Sequence, residues 1–289
     1  MADRHFACTQ CGQCCNRAPE LELGEAAALA DVFVLRLLMR IYSLPRSVGD
    51  YLTPDQPRDR ASAEFYQTKR LLSAFAATSW PAKVRRDGRV VEYVQYLSLS
   101  VLPLDLSTGA CNALDGARCS IYARRPLSCR TVPLHYSRAD AYAVPDLDAF
   151  VASPGHACAT GDDAPRVISQ NSIIDPATRA ARVEAAARAQ ADRPWKAALV
   201  KAMKAGVQGL PSPQLVEGNA ATGALSAPML AAWQVAAATG LLARKRCRRL
   251  IETQIATITR ALEQSALPLH ARQTLLEMQR GYAEWLAAP

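Results

Sequence analysis

The order of apolar and polar residues predicts helices followed by a β-hairpin in the first half of the chain. Apolar residues recur at helical spacing over residues 21–44, so we expect a helix that stops before the following proline. The same spacing predicts a second helix over residues 61–79. Residues 83–94 place β-rich segments on both sides of Asp87-Gly88, which is typical of a two-stranded hairpin.

The second half of the chain is rich in alanine, and its pattern is mostly helical. We expect helices over residues 179–208, 229–267 and 269–286, with breaks at Gly240 and Pro268, and a long loop or linker over residues 209–228. The predicted fold class is α+β, with a cysteine-cluster domain of helices and a small antiparallel sheet, followed by a helical C-terminal region. The predicted domains are residues 1–165 and residues 166–289.

Size and composition favour a folded protein and exclude several classes. The chain has 289 residues, of which 50% are hydrophobic and 21% are charged, so it can bury a core and is too apolar to be mainly disordered. No apolar run has the length of about eighteen residues that a membrane-spanning helix needs, and the first residues do not form a secretory signal. We therefore expect a cytoplasmic protein without a membrane partner.

The cysteines are the most informative residues, and four of the nine lie in the pattern Cys8-x2-Cys11-x2-Cys14-Cys15. An odd number of cysteines without a secretory signal argues against a disulfide scaffold and favours metal or redox chemistry. The spacing lets three thiolates converge, as in the first part of a ferredoxin loop or at three corners of a tetrahedral zinc site. The side chains of Cys14 and Cys15 diverge, so we expect Cys15 to serve a second metal, to bridge, or to lie outside the first coordination sphere.

A second set of cysteines is spaced more widely and comprises Cys111, Cys119, Cys129 and Cys158. Pro126 is favoured at the start of a helical turn, and such a turn would aim backbone N–H groups at whatever Cys129 contacts. Those donors would favour an anionic thiolate–metal centre. Three nearby cations would add positive charge there, namely Arg124, Arg125 and Arg130.

Together the two motifs resemble the YkgJ-type cysteine-cluster family, which is also described as a zinc- or iron-chelating CxxCxxCC domain. The resemblance covers residues 5–160 and implies a metal ion or an iron–sulfur centre bound through the cysteines. Cys158 is its loosest match. The residues that carry the resemblance are Cys8, Cys11, Gly12, Cys14 and Cys15, and then Cys111, Cys119, Ile121, Tyr122, Arg125, Pro126, Cys129, Arg130 and Pro133.

Sulfur ligands narrow the choice of metal without fixing it. All-thiolate ligation excludes calcium and magnesium, but it does not separate zinc from iron–sulfur or copper(I). Eight thiolates permit two zinc sites of four cysteines each, one [4Fe–4S] cluster with cysteines left over, or a larger cluster. The ferredoxin-like triplet favours [4Fe–4S], although the fourth Cys-Pro of a ferredoxin is missing. The predicted metal ligands are Cys8, Cys11, Cys14, Cys15, Cys111, Cys119, Cys129 and Cys158.

Other polar residues near the motifs receive simpler interpretations. A histidine could replace a cysteine as a ligand, although a lone histidine more often packs or lies at the surface. The candidates are His5, His135 and His156, of which His156 would be tested first because it lies two residues before Cys158. We interpret Glu25 as a charge in the first turn of a helix.

The basic excess does not by itself indicate a nucleic-acid partner. The formal net charge is +8, and eight thiolates around two zinc ions carry a combined charge of −4, which would lower it to +4. The five cations around Cys247 have no interleaved aromatic residues, so we interpret residues 244–249 as a solvated helix face. Cys247 itself is interpreted as a small buried residue.

The function predicted from the sequence is a metal-binding protein, which acts as a redox or protein-modifying accessory and contacts a protein partner through its helical C-terminal region. The alternative is a cluster-dependent modifying enzyme. The motif also resembles that of the flagellin lysine N-methylase, which implies S-adenosylmethionine and an iron–sulfur cluster. The sequence has no glycine-rich strand–turn–helix typical of a Rossmann methyltransferase, and no Ser-His-Asp, P-loop or H-E-x-x-H pattern.

Overall fold

The structure, a computed structural model, describes residues 3–52, 58–86, 88–106, 110–136, 140–219, 223–265 and 267–288. In chain order the strands are β1 (Arg4–His5), β2 (Leu35–Pro45), β3 (Thr78–Arg86), β4 (Arg89–Pro103), β5 (Leu114–Asp115), β6 (Arg118–Cys119), β7 (Arg166–Ser169), β8 (Ser172–Ile173) and β9 (Ala224–Pro228). The α-helices are α1 (Leu23–Ala26), α2 (Val48–Tyr51), α3 (Arg58–Phe75), α4 (Leu127–Arg130), α5 (Asp140–Val151), α6 (Pro176–Lys204), α7 (Pro213–Gly218), α8 (Met229–Ala238), α9 (Arg244–Leu262) and α10 (Leu269–Ala287). This content confirms the predicted α+β class with a helical C-terminal region.

The chain forms two compact units. The first comprises Met1–Leu35, Leu102–Arg188 and Arg248–Pro289, and the second comprises Arg36–Val101 and Ala189–Cys247. Each unit is therefore assembled from separate segments. The sequence domains 1–165 and 166–289 were predicted as contiguous stretches, and their boundary stays a prediction.

The first unit contains the eight predicted metal ligands and a three-stranded sheet in the order β1-β7-β8. The pairing is antiparallel, with Arg4 opposite Ile168 and Ile168 opposite Ile173. Leu134, Leu147 and Ile168 belong to a buried apolar cluster of this unit. Since β1 ends three residues before Cys8, the sheet fixes where the N-terminal cysteine loop begins.

The second unit contains a four-stranded sheet in the order β3-β4-β2-β9. Strands β3 and β4 pair from Thr78 opposite Leu97 to Arg86 opposite Arg89, which confirms the predicted hairpin. Asp87 of the predicted turn lies outside the described residues, and Gly88 has the positive φ of 76° that favours glycine. In the part of the chain that the structure describes, no helix is long and apolar enough to cross a membrane.

Two predicted segments are wrong. Residues 21–44 form only the short helix α1 and then strand β2, because the run Leu35–Met39 is almost wholly buried and apolar, and such a run does not distinguish a strand from a buried helix. The predicted linker 209–228 contains helix α7 and strand β9, the second of which pairs with β2. The helix predicted over residues 61–79 is α3, and helix α6 continues through Pro194.

Candidate metal centre

The N-terminal cysteine loop is a tight turn that glycine makes possible. Gly12 has φ of 77°, and the N–H of Cys15 donates to its carbonyl at 2.9 Å. A Cβ on Gly12 would lie 2.7 Å from the carbonyl oxygen of Ala117, which is in the turn between β5 and β6. The loop therefore approaches the β5–β6 hairpin more closely than any residue with a side chain would allow.

Gly12→Ala is expected to push the cysteine loop away from the hairpin and to reduce the metal content of the protein. Gly116→Ala is the matched control, because Gly116 also has a positive φ of 60° but would place its Cβ in open space. In both variants, the left-handed conformation of the new alanine should lower the free energy of unfolding by about 1–2 kcal/mol. Overpacking against Ala117 should cost Gly12→Ala about 1–3 kcal/mol more. Elemental analysis and denaturant unfolding measure both effects, and equal behaviour of the two variants would contradict the contact.

The β5–β6 hairpin and the loop bring three cysteines together. The N–H of Cys111 donates to the carbonyl of Cys15 at 2.7 Å, and the N–H of Leu114 donates to the carbonyl of Cys111 at 2.9 Å. Leu114 is in turn paired with Cys119 across the hairpin. Cys15, Cys111 and Cys119 therefore lie next to one another, although 96 residues separate the first two in the sequence.

Cys129 lies on α4, a single helical turn that begins after Pro126 as the sequence predicts. The N–H of Leu127 donates to the Glu25 carboxylate at 2.9 Å, and the Ser128 hydroxyl donates to the carbonyl of Glu20 at 2.9 Å. Leu127 is fully buried. The first N–H of this turn is thus bound to a carboxylate, which corrects the expectation that these donors face whatever Cys129 contacts.

Glu25 is a structural residue of the site that the sequence analysis missed in part. It does lie in the first turn of a helix, α1, but it is only 6% exposed, and it also accepts the N–H of Glu22 at 3.2 Å. Its carboxylate therefore joins α1 to α4, the helix of Cys129. The only sequence signal was the position of this acidic residue shortly after the cysteine loop.

The three arginines near Cys129 behave differently. Arg124 pairs with Asp31 at 2.9 Å, and Arg130 pairs with Glu184 at 2.7 Å. Arg125 lies 3.7 Å above the centre of the Tyr122 ring. Its charge is among the influences that favour the thiolate forms of Cys14 and Cys129. Arg125 is therefore the arginine that the structure places to balance negative charge on the thiols.

Cys158 reaches the N-terminal loop through backbone pairing. Ala7 and Ala159 exchange two hydrogen bonds, of 2.8 and 3.1 Å, and the Thr9 hydroxyl donates to the carbonyl of Ala157 at 2.8 Å. Cys8 and Cys158 therefore lie between paired neighbours on two adjacent segments.

The eight thiols fall into two groups of four. The outer group is defined as Cys8, Cys11, Cys14 and Cys158, and the inner group is defined as Cys15, Cys111, Cys119 and Cys129. Backbone contacts bring Cys8 close to Cys158 and bring Cys15 close to Cys111 and Cys119, and the charges between thiols assign the other three cysteines. Besides burial, the neighbours that raise the pKa of Cys158 are all in the outer group, and those that raise the pKa of Cys129 are all in the inner group. Burial is the largest cause for Cys129 and contributes most to raising its pKa to about 12.

Cys14 and Cys15 link the groups through a hydrogen bond between their side chains. This bond is the largest influence on the pKa of each thiol. It contributes to lowering the pKa of Cys14 to about 6, and it raises the pKa of Cys15. Next, burial opposes the lowering at Cys14, while the charges of His156 and Arg125 assist it. Cys14 is therefore the thiolate of the pair, and Cys15 is the thiol that donates to it.

After treatment with a chelator, Cys14 is expected to react as a thiolate at pH 7 and to lose reactivity as the pH falls through about 6. Cys15→Ala removes the donor and should slow alkylation of Cys14 at pH 7 about tenfold, because its pKa returns toward the ordinary value. Pulsed alkylation with peptide mapping measures this rate. Cys247→Ala is the control, and an unchanged Cys14 rate in Cys15→Ala would contradict the hydrogen bond.

The histidines are placed unequally. His5 bonds through Nδ1 to the carbonyl of Ala164 at 2.7 Å, and the backbone N–H of His135 donates to Thr131 at 2.9 Å. His156 bonds through Nδ1 to the carbonyl of Phe150 at 2.6 Å, and its charge helps to lower the pKa of Cys14. His156 therefore lies close enough to Cys14 to influence it, and it is the histidine that the sequence indicates should be tested first.

The donor set fits a soft metal by its chemistry. Four thiols per group are the ligands of a structural zinc site and of an iron–sulfur cluster. Within the described ranges, no group of three or more His, Cys, Asp or Glu side chains is arranged to hold a metal ion.

Comparison with known proteins bears on the same residues. Residues 54–159 match the model of the family CxxCxxCC, described as a "Putative zinc- or iron-chelating domain". The chain contains a domain of the CxxCxxCC family. The YkgJ-type proteins are the same family, so the resemblance found in the sequence is confirmed. The matched CxxCxxCC range includes Cys111, Cys119, Cys129 and Cys158 and begins after the N-terminal motif. No curated protein and no solved structure matched the chain.

Proposed function

We propose that the chain binds metal at two adjacent centres, one held by the outer group and one by the inner group. The observation that supports this proposal is the convergence of three distant segments, which brings Cys8 close to Cys158 and brings Cys15 close to the β5–β6 hairpin. The charges that the thiols exert on one another assign the remaining cysteines to the two groups. Cys14 and Cys15 contribute one thiol to each group, and the hydrogen bond between their side chains joins the two groups. Four thiolates are sufficient for one zinc ion or for one iron–sulfur cluster.

Charge and burial support this assignment. Thiols must lose their protons to bind metal, and burial in the inner group opposes that loss unless a cation takes their place. A bound cation would therefore offset the free energy that burial adds to the deprotonation of these thiols. Arg125 and the formal net charge of +8 compensate the remaining negative charge.

The two kinds of metal would give the chain different chemistry. Zinc would tie the three segments together without redox change, whereas an iron–sulfur cluster would also accept and donate electrons. The C-x2-C-x2-C spacing favours iron–sulfur, and the four-and-four division fits either. A redox or protein-modifying role, and a protein partner for the helical C-terminal region, stay predictions from the sequence.

Metal and acid-labile sulfide content of anaerobically purified protein, with a visible spectrum, tests the proposal. Brown protein with iron and sulfide would identify iron–sulfur centres. Colourless protein with about two zinc ions per chain would identify two zinc sites of four thiolates each. Neither metal, with every thiol free to react, would overturn the proposal. Cys247→Ala should leave the metal content unchanged, because Cys247 is buried outside both groups.

A further inference from the structure

The outer group lies on two surface loops. Cys8 is exposed, and so are Thr9, Gln10 and Gln13 of the same loop and Ala157 next to Cys158. The two loops are joined by the Ala7–Ala159 pair and by the hydrogen bond from Thr9. A molecule in solution can therefore approach the outer thiols without displacing the core of the unit.

The inner group has no exposed cysteine, although residues 115–118 and Ser120, next to Cys119, are exposed. Ala113, Ile121 and Leu127, which flank its cysteines along the chain, are all buried. Cys119 is fixed by the β5–β6 pairing, and α4 is fixed by the bond from Leu127 to Glu25. Release of Cys129 therefore requires α4 to part from buried residues, which occurs more rarely than movement of a surface loop.

We propose that the outer group is an exchange site, which passes a soft metal ion to a soluble thiolate acceptor. The inner group retains its own ion. This inference rests on the metal binding proposed above. The step is ligand substitution. A sulfur–metal bond to the acceptor thiolate would form as the bond between the ion and Cys8 breaks, and Cys8 would leave as a thiolate. No electron is transferred, so the step needs neither an oxidant nor a reductant.

Cys8 is the outer ligand best placed to leave first. It is the exposed member of the group, and the N–H of Gln10 lies 3.4 Å from its sulfur, where it can stabilise the departing thiolate. The remaining three outer cysteines would keep the ion until the acceptor has replaced them in turn.

The rate of metal loss tests the exchange site. Purified protein is incubated with EDTA, desalted at intervals and analysed for metal, with and without added glutathione. We expect two phases of about equal amplitude, at least tenfold apart in rate, of which only the fast one accelerates with glutathione. Cys8→Ser and Cys158→Ser should start with about half the metal and lack the fast phase, whereas Cys119→Ser should lack the slow one.

The outcomes separate this inference from the metal binding beneath it. A single phase, a fast phase that glutathione does not accelerate, or loss of the slow phase in Cys8→Ser would overturn the exchange site while leaving metal binding intact. Protein that contains no metal from the start would overturn both. Cys8→Ser keeps the test decisive if Cys158→Ser folds poorly, because an exposed serine in place of Cys8 leaves the core unchanged.

Discussion

Cys129→Ser is expected to empty the inner group and to destabilise the first unit by about 4 kcal/mol. An ion present at about 1,000 times its dissociation constant stabilises the folded state by about this amount, and the variant forfeits it. Burial is the largest cause of the rise in the pKa of Cys129 to about 12, and no other cysteine lies on α4 to replace it. Metal content should fall by about half, because the outer group keeps its own four thiols.

Two controls make this result specific. Cys247→Ala should lose no metal, since Cys247 lies in the second unit. Addition of EDTA to the unaltered protein should lower its stability toward that of Cys129→Ser, whereas the variant should respond less. Denaturant unfolding followed by circular dichroism measures the free energies, and elemental analysis measures the metal. Full metal content and unchanged stability in Cys129→Ser would contradict the role of the inner group.

The sequence predicts some elements well because their signals are local. The Asp87-Gly88 pair indicates the β3–β4 hairpin, and Pro126 indicates the turn that carries Cys129. Strand β2 was predicted as a helix because its burial comes from its position between β4 and β9, which are distant in sequence. The pattern of apolar residues within 35–45 does not indicate that β4 and β9 lie on either side of this segment.

Some features of the candidate site could likewise be predicted from local signals, and others could not. Adjacency predicts that the side chains of Cys14 and Cys15 diverge, but a hydrogen bond joins them in the structure, so this prediction is wrong. The partners of Cys158 could not be predicted, because they follow from the pairing of Ala7 with Ala159. The Glu25 carboxylate accepts a hydrogen bond from the backbone N–H of Leu127, 102 residues away. Because any residue other than proline has a backbone N–H, the sequence does not indicate a contact of this kind.

A buried amide holds the chain after α1, the helix that carries Glu25. Gln254 of α9 is fully buried, and its Oε1 accepts the N–H of Leu35 at 2.8 Å. Its Nε2 donates to the carbonyls of Ala30 and Phe33 at 2.7 and 2.8 Å. Thr257, one turn further along α9, donates to the same carbonyl of Ala30 at 2.9 Å. Since a buried backbone group without a partner costs about 1–3 kcal/mol, this single side chain stabilises the segment strongly.

Gln254→Leu should therefore lower the free energy of unfolding by about 3–5 kcal/mol, because it leaves the Leu35 N–H and the Phe33 carbonyl without the partner they now have. Leucine has a similar volume, so the loss comes from hydrogen bonding rather than from a cavity. Gln279→Leu is the matched control: its amide donates to Thr259 in an exposed hydrogen bond of 2.8 Å, and its loss should change stability by about 0.5 kcal/mol or less. Urea unfolding of both variants measures the difference, and a loss of under about 1 kcal/mol in Gln254→Leu would show that the segment is held by its apolar contacts instead.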